Sequence, residues 1–192
     1  MNKVYFTSDL HFCHNKEFLY EPRGFSSVEE MNEAIIKNFN SVMDWTDKLY
    51  ILGDCFLNDN YEGMKLMTHL PGEKYIIYGN HDTDTRQVLM GEAGFHCLGY
   101  AHQQKINGYR FYMSHYPTLT SNYDDNIKPL KRRTINLCGH THTENPFRDF
   151  NKGLIYHVEL DAHNMMPVCV DDIIIQIEKY LKALNDASQY ID

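Results

Sequence analysis

Short apolar runs bounded by Gly, Asp or Asn recur along the chain: VYFTS (4–8), KLYIL (48–52), KYIIY (74–78), YRFYMS (109–114), TINLC (134–138) and IYHVEL (155–160). Their length and their Val, Ile, Tyr and Phe content predict β-strands, with KYIIY a buried one. Between the first three runs the period changes to that of a helix. Over 27–43, Val28, Met31, Ile35, Phe39 and Val42 fall on one face, and Ser27 with Glu30 supplies a capping box. Residues 60–70 and 83–90 predict weaker helices, the first diluted by Gly63. The first half therefore reads β-α-β-α-β-α, which implies a parallel sheet covered by helices. The second half changes character. Asn107-Gly108, between QQKI and YRFYM, predicts a two-residue hairpin turn. Strands then follow with few helices until a final helix from about Asp171, whose Ile173, Ile174, Ile177, Leu181 and Leu184 share one side.

Composition adds three constraints. No composition break or flexible linker divides the 192 residues, so one domain spanning 1–192 is expected, and 43% hydrophobic residues suffice for its core. A net charge of -8 argues against extended DNA binding. It leaves a phosphate-bearing substrate open, because bound divalent cations reverse the sign of an acidic site. Five cysteines without a CxxC pair fit reduced thiols and a cytoplasmic location. The start MNKVYFTSDLHF lacks the form of a signal peptide, and no apolar run reaches the roughly 18 residues of a membrane helix.

The polar residues at the strand ends carry the chemistry. Asp9 and His11 follow the first strand, Gly53-Asp54 the second, and Asn80, His81 and Asp82 the third. His115 follows the hairpin strand, and His140 and His142 follow TINLC. In an open α/β sheet ligands bind beyond the carboxyl ends of the strands, so these groups are expected to converge. Carboxylate, imidazole and amide suit Mn, Fe, Co, Ni or Zn. Asp9, Asp54, Asn80 and four histidines exceed one tetrahedral shell, so two ions about 3.5–4 Å apart fit better, able to activate a water for in-line displacement at phosphorus. Asn80 offers a carbonyl oxygen, His81 is left free for proton transfer, and Asp82 stands behind them.

The ordered set DLH, GD, GNHD, SHYP and GHTH, spanning residues 4 to 142, closely resembles the calcineurin-like metallophosphoesterase family. The resemblance implies an α/β/β/α sandwich of two packed mixed sheets flanked by helices. It implies one metal held by Asp9, His11, Asp54 and His142, and a second held by Asp54, Asn80, His115 and His140, with Asp54 bridging. His81 becomes the candidate general acid. The implied activity is phosphoester hydrolysis by a metal-bridging hydroxide, with a phosphodiesterase acting on a small nucleotide or similar diester preferred. A phosphomonoesterase, a protein phosphatase or a non-catalytic scaffold are the alternatives. Mn, Fe, Ni and Zn are the candidate ions. The opening TSDLHFCHN and the closing DAHNMMPV look like a small bacterial and phage-encoded branch, in which Cys13 stands where glycine is usual.

Outside these motifs the ordinary readings hold. His69, His96, His102 and His157 are expected to be hydrogen-bonded core or surface groups, and Cys13, Cys55 and Cys138 small fillers. His14, three residues past His11, is open between a substrate contact and a structural role. Asp161 and Asn164 read as a chain turn before Pro167. The segment KPLKRR (128–133) reads as a solvated loop face. Its position between SHYP and GHTH also offers Lys128, Lys131, Arg132 and Arg133 as substrate contacts over the metals.

Overall fold

The computed structural model describes residues 2–120 and 128–188. Strands β1 (Val4–Thr7), β2 (Lys48–Leu52), β3 (Glu73–Ile77) and β4 (His96–Cys97) run parallel, and β9 (Val168–Cys169) joins β1 antiparallel, giving the order β4-β3-β2-β1-β9. A second sheet has the order β5-β6-β7-β8, from Ala101–Ile106, Tyr109–Ser114, Thr134–Cys138 and Ile155–His157. Its β5–β6 pair is the antiparallel hairpin turned by Asn107-Gly108, while β6, β7 and β8 are parallel. These are the two mixed sheets with flanking helices that the resemblance implied.

Alternation along the strands builds two cores. Leu49 and Ile51 of β2 face one and Tyr50 and Leu52 the other; Ile76 and Ile77 of β3 divide the same way. The first core lies between this sheet and α2 (Val28–Val42), α3 (Asn60–His69) and α4 (Asp84–Glu92), with Met31, Ile35, Phe39, Met67 and Met90 fully buried. The second joins Phe6 and Tyr50 to Phe111, Ile135, Leu137 and Tyr156 of the other sheet. The final helix, α5 (Val170–Ser188), adds Ile173, Ile174 and Ile177 to it. Both faces of β2 are thus covered, which explains its unbroken apolar run.

Several expectations need correction. Val42 is 39% exposed, because α2 ends there, and Asn32 takes a buried place on its inner face. Ser27 caps α2 as expected, accepting from Glu30 N–H at 3.2 Å, but the Glu30 carboxylate reaches Ser26 instead of closing the box on Ser27. The strand expected over 155–160 stops at His157, since the chain then turns into a single 3₁₀ turn, Leu160–His163. The two-residue strands β4 and β9 were not anticipated; two residues carry no periodicity. Among the described residues no helix is long and apolar enough to cross a membrane.

Gly63 has a reason beyond helix propensity. A Cβ there would lie 2.6 Å from Phe56 Cδ2 and 2.7 Å from Phe56 Cβ, and the second contact holds however the ring turns. Gly63→Ala gains about 1 kcal/mol of helix propensity but over-packs a closed core at a cost of about 1–3 kcal/mol. The variant is expected to unfold at lower denaturant concentration than the parent; an unchanged or higher midpoint would show that α3 shifts freely.

Candidate metal centre

At the carboxyl ends of β1 and β2 the chain continues as two loops that run side by side. Asp9 N–H donates to Gly53 O at 3.1 Å, His11 N–H to Asp54 O at 3.0 Å and Phe12 N–H to Cys55 O at 3.1 Å. Asp9, His11, Asp54, His140 and His142 all have φ between +48° and +73°. That left-handed region costs an ordinary residue about 1–2 kcal/mol, so the strain is concentrated on the groups with chemistry to do. Cys13 also has φ +62°, in the left-handed region that favours glycine.

The loops interlock because the residues before the ligand types are glycines. A Cβ on Gly79 would overlap the Asp54 carboxylate, one on Gly139 would overlap Ser8 and Asp9, and one on Gly53 would stand 2.6 Å from His115 Nδ1. Asp82, buried as expected behind the site, joins the loops electrostatically. Its Oδ2 accepts from Asp54 N–H and Gly79 N–H at 2.8 Å each, and its Oδ1 from Cys55 N–H at 3.1 Å.

Asp9 and Asp54 are almost wholly buried. One oxygen of each takes a backbone hydrogen bond: Asp9 Oδ2 from His140 N–H at 2.8 Å, Asp54 Oδ1 from His81 N–H at 2.9 Å. The other oxygens face ring nitrogens. Asp9 Oδ1, buried and without a hydrogen-bond partner, lies 3.6 Å from both His11 Nε2 and His142 Nε2. Asp54 Oδ2 lies 3.8 Å from His11 Nε2 and 3.5 Å from His115 Nε2.

The outer ring nitrogens fix which inner ones carry lone pairs. His115 Nδ1 is 2.8 Å from Leu52 O, which only accepts, so Nδ1 holds the proton and Nε2 presents a lone pair. That Nε2 faces Asn80 Oδ1 at 2.9 Å and His140 Nδ1 at 3.2 Å. His142 Nδ1 is 3.0 Å from Asp161 Oδ2, so in the neutral ring Nδ1 carries the proton and Nε2 the lone pair, and that Nε2 meets His11 Nε2 at 3.1 Å. Acceptor atoms therefore converge in two places with Asp54 Oδ2 between them. Cations suit both. Two nitrogens 3.1 Å apart subtend roughly 100° at an ion bonded at about 2.1 Å. Asp9, His11 and His142 form one candidate metal-binding group and Asp9, Asp54 and His115 another, which puts Asp9 in both.

Burial drives His11 down to about 4 against the pull of Asp9, so its ring is neutral at pH 7 and ready to ligate. Burial likewise raises the Asp54 carboxyl above, and lowers His140 below, their ordinary values. For Asp9 burial acts upward, but the neighbouring His11, His115 and His142 prevail and hold it below the usual carboxylate range. Burial would lower His142 too, but Asp161 and Asp9 outweigh it and leave the ring more basic than usual.

Asp161, read from sequence as a chain turn, thus orients and enriches a candidate ligand. Arg23, which sequence reasoning missed, holds Asp161 in turn. Its side chain is 1% exposed; Nε and Nη2 donate to Asp161 Oδ1 and Oδ2 at 3.0 and 2.7 Å, and Nη2 also donates to Asp9 O at 2.9 Å. No local signal marks a pair 138 residues apart. A second buried cluster braces the loop bearing His140 and His142. Glu159 Oε1 accepts from Thr141 Oγ1, Thr143 N–H and His157 Nδ1 at 3.1 Å each, and His157 Nε2 reaches Asp149 Oδ2 at 3.0 Å. His157 is the hydrogen-bonded core group expected of it.

His81 stands at the mouth, its side chain 43% exposed and its Nε2 3.9 Å from Asp54 Oδ2. His14 does face the crevice: its ring centroid lies 5.3 Å from that of His11 and 6.2 Å from that of His81. The basic segment does not. Leu130–Arg132 form a 3₁₀ turn, and Lys131 Nζ lies 5.5 Å over Tyr109, at the opposite end of β6 from His115. The reason is topological: β6 and β7 are parallel, so their connection returns to the starting edge of the sheet, leaving Lys131, Arg132 and Arg133 at the far end from the cluster. The middle of that connection, 121–127, lies outside the described residues. Cys55 and Cys138 are buried fillers, their thiols pushed up by burial. Burial, with Asp59 and Glu62 adding, pushes Cys13 up to about 11.

Residues 3–158 match the calcineurin-like phosphoesterase superfamily domain. An uncharacterized protein of Methanocaldococcus jannaschii is 36% identical over 196 residues, covering 97% of this chain and 98% of its own length. Among solved structures, a protein of unknown function from Aquifex aeolicus superposes with a TM-score of 0.64 at 22% identity, over 92% of this chain and 100% of that one. A novel archaeal phosphodiesterase superposes with a TM-score of 0.50 at 17% identity, over 84% of this chain and 86% of that one. At these identities both speak to the fold.

Two outcomes follow for the supporting residues. Asp161→Asn is expected to keep the fold and weaken metal binding by about 10–100-fold, as losing a histidine's orienting carboxylate does, measured by metal titration of the apoprotein. His157 is pushed down by burial but held above its ordinary 6.5 by Glu159 and Asp149. The stability it contributes is fully present below pH 6.5 and is lost as pH rises through the higher folded value. Denaturant unfolding of metal-free protein should show stability declining in that direction, with a flatter decline in His157→Gln; equal slopes would remove His157 as the titrating group.

Proposed function

The chain belongs to the calcineurin-like phosphoesterase superfamily, and we propose that it is a phosphodiesterase working with two divalent ions on a small nucleotide or similar diester. The observation that carries this is the convergence of imidazole nitrogens and side-chain oxygens on either side of Asp54 Oδ2. Asp9, His11, Asp54 and His142 would hold one ion, and Asp54, Asn80, His115 and His140 the other. When bound, the ions would lower the pKa of a water and neutralise charge on the phosphoryl oxygens.

The chain's own groups divide the remaining work. The His81 N–H bond to Asp54 Oδ1 turns that carboxylate so that Oδ2 points inward. Asn80 lends its carbonyl oxygen without adding negative charge, which keeps the centre cationic toward a phosphate. As the bond from water oxygen to phosphorus forms and the bond to the leaving oxygen breaks, His81, half-exposed at the mouth, delivers a proton from its imidazolium to the departing alkoxide. The archaeal phosphodiesterase of similar fold is in keeping with the diester preference. So is the setting of Arg23, whose buried guanidinium is taken up by Asp161 and Asp9 O and is not open to the extra charge of a monoester.

Asp54→Asn is expected to lose both metal and turnover. His81→Ala should retain metal by elemental analysis and lose about 100–10,000-fold in rate on an ester with a poor leaving group. Bis-p-nitrophenyl phosphate should be cleaved faster than p-nitrophenyl phosphate with at least one of Mn, Ni, Fe or Zn. The reverse order would make the protein a monoesterase, and no turnover with any metal would make it a scaffold.

A further inference from the structure

Beside the metal centre the chain leaves a cleft of about 290 Å³, bounded by Phe18, Leu19, Pro22, His142, Glu144 and Asp161. Phe18 lies on the short helix α1 (Glu17–Tyr20) and is 72% exposed. The His14 ring stands perpendicular to it at a centroid distance of 5.9 Å and 87°, and most of the Phe18 side chain remains open to solvent. Across the cleft stands Glu144, exposed and without a hydrogen bond or ion pair to any described residue. A second cleft of about 410 Å³ shares Pro22, Glu144 and Asp161 and continues to Asn164 and Met165. These last two have left-handed φ of +52° and +61°, in the DAHN turn that the sequence singled out.

We propose that this cleft binds the nucleoside part of the diester, with the base stacked on Phe18 and its N–H donors on Glu144, and that it prefers guanine. The inference rests on the phosphodiesterase reading above and names the substrate class for the same site. Three features carry it. His142 lines both the metal centre and the cleft, so a group in the cleft lies directly beside a phosphoryl group at the centre. The walls hold two carboxylates; Asp161 is occupied by Arg23 and His142, but Glu144 is not, so a further phosphate is repelled and a neutral group with hydrogen-bond donors is favoured. A carboxylate is an acceptor only, with two oxygens. The Watson–Crick edge of guanine presents two adjacent N–H donors to such a pair, whereas adenine sets an acceptor beside its amino group. Stacking on an aromatic ring supplies the part of the affinity that every base shares.

Guanosine and adenosine titrated by calorimetry into Mn-loaded protein separate these contributions, because neither needs turnover to be measured. Guanosine is expected to bind on the order of tenfold more tightly than adenosine, the factor supplied by about 1.4 kcal/mol, and to inhibit bis-p-nitrophenyl phosphate cleavage competitively. Glu144→Gln should erase the difference between the two nucleosides. Phe18→Ala should weaken both on the order of tenfold. Both side chains are exposed, so an unchanged thermal midpoint verifies the fold of each variant. Equal binding of the two nucleosides, no binding of either, or guanosine binding untouched by both substitutions overturns the inference while leaving diester hydrolysis standing. Loss of the phosphodiesterase reading has its own signature, the absence of bis-p-nitrophenyl phosphate turnover with every metal.

Discussion

Two carboxylates, Asp9 and Asp54, are withdrawn from water and left without a permanent cation. Among the described residues no Lys or Arg pairs with either; their ionisable neighbours are histidines, and a buried guanidinium nearby, that of Arg23, addresses the Asp9 carbonyl oxygen instead. Unpaired buried charge of this kind is costly. The fold satisfies half of it, giving one oxygen of each carboxylate a backbone N–H and turning the other toward histidine ring nitrogens. The architecture around it follows: left-handed loops to aim the groups, glycines to let the loops touch, and Asp82 to join them.

The same constraint explains which parts could be read from sequence. A carboxylate or imidazole directly after a buried strand is a local pattern, and parallel strands deliver such patterns to one edge, so Asp9, Asp54, Asn80, His115, His140 and His142 could be gathered before any coordinates. The glycine in GD, in GNHD and in GHTH was equally visible, but its purpose was not. Closeness of Gly79 to Asp54, or of Gly139 to Asp9, is a fact of two loops meeting.

What stayed illegible was non-local or depended on chain direction. Arg23 and Asp161 meet across nearly the whole chain, and nothing near either announces the other. Glu159 and His157 read as part of a strand, yet the strand ends early so that Glu159 can turn back to the threonines of the GHTH loop. The basic run before β7 reads as a solvated loop face, and its place between two ligand motifs also offers it to the metals. The parallel pairing of β6 and β7 sends it to the other end. Proximity in sequence to a motif says little where a crossover intervenes.

The contact between neighbouring loops at Gly53, Gly79 and Gly139 has a consequence for divergence. Because each loop fills the space another would need, the centre tolerates change only in concert. The surrounding rim, where Phe18 and Glu144 are exposed, can be rewritten one position at a time. A lineage built on this frame can therefore exchange the molecules it acts on without reopening the chemistry by which it acts.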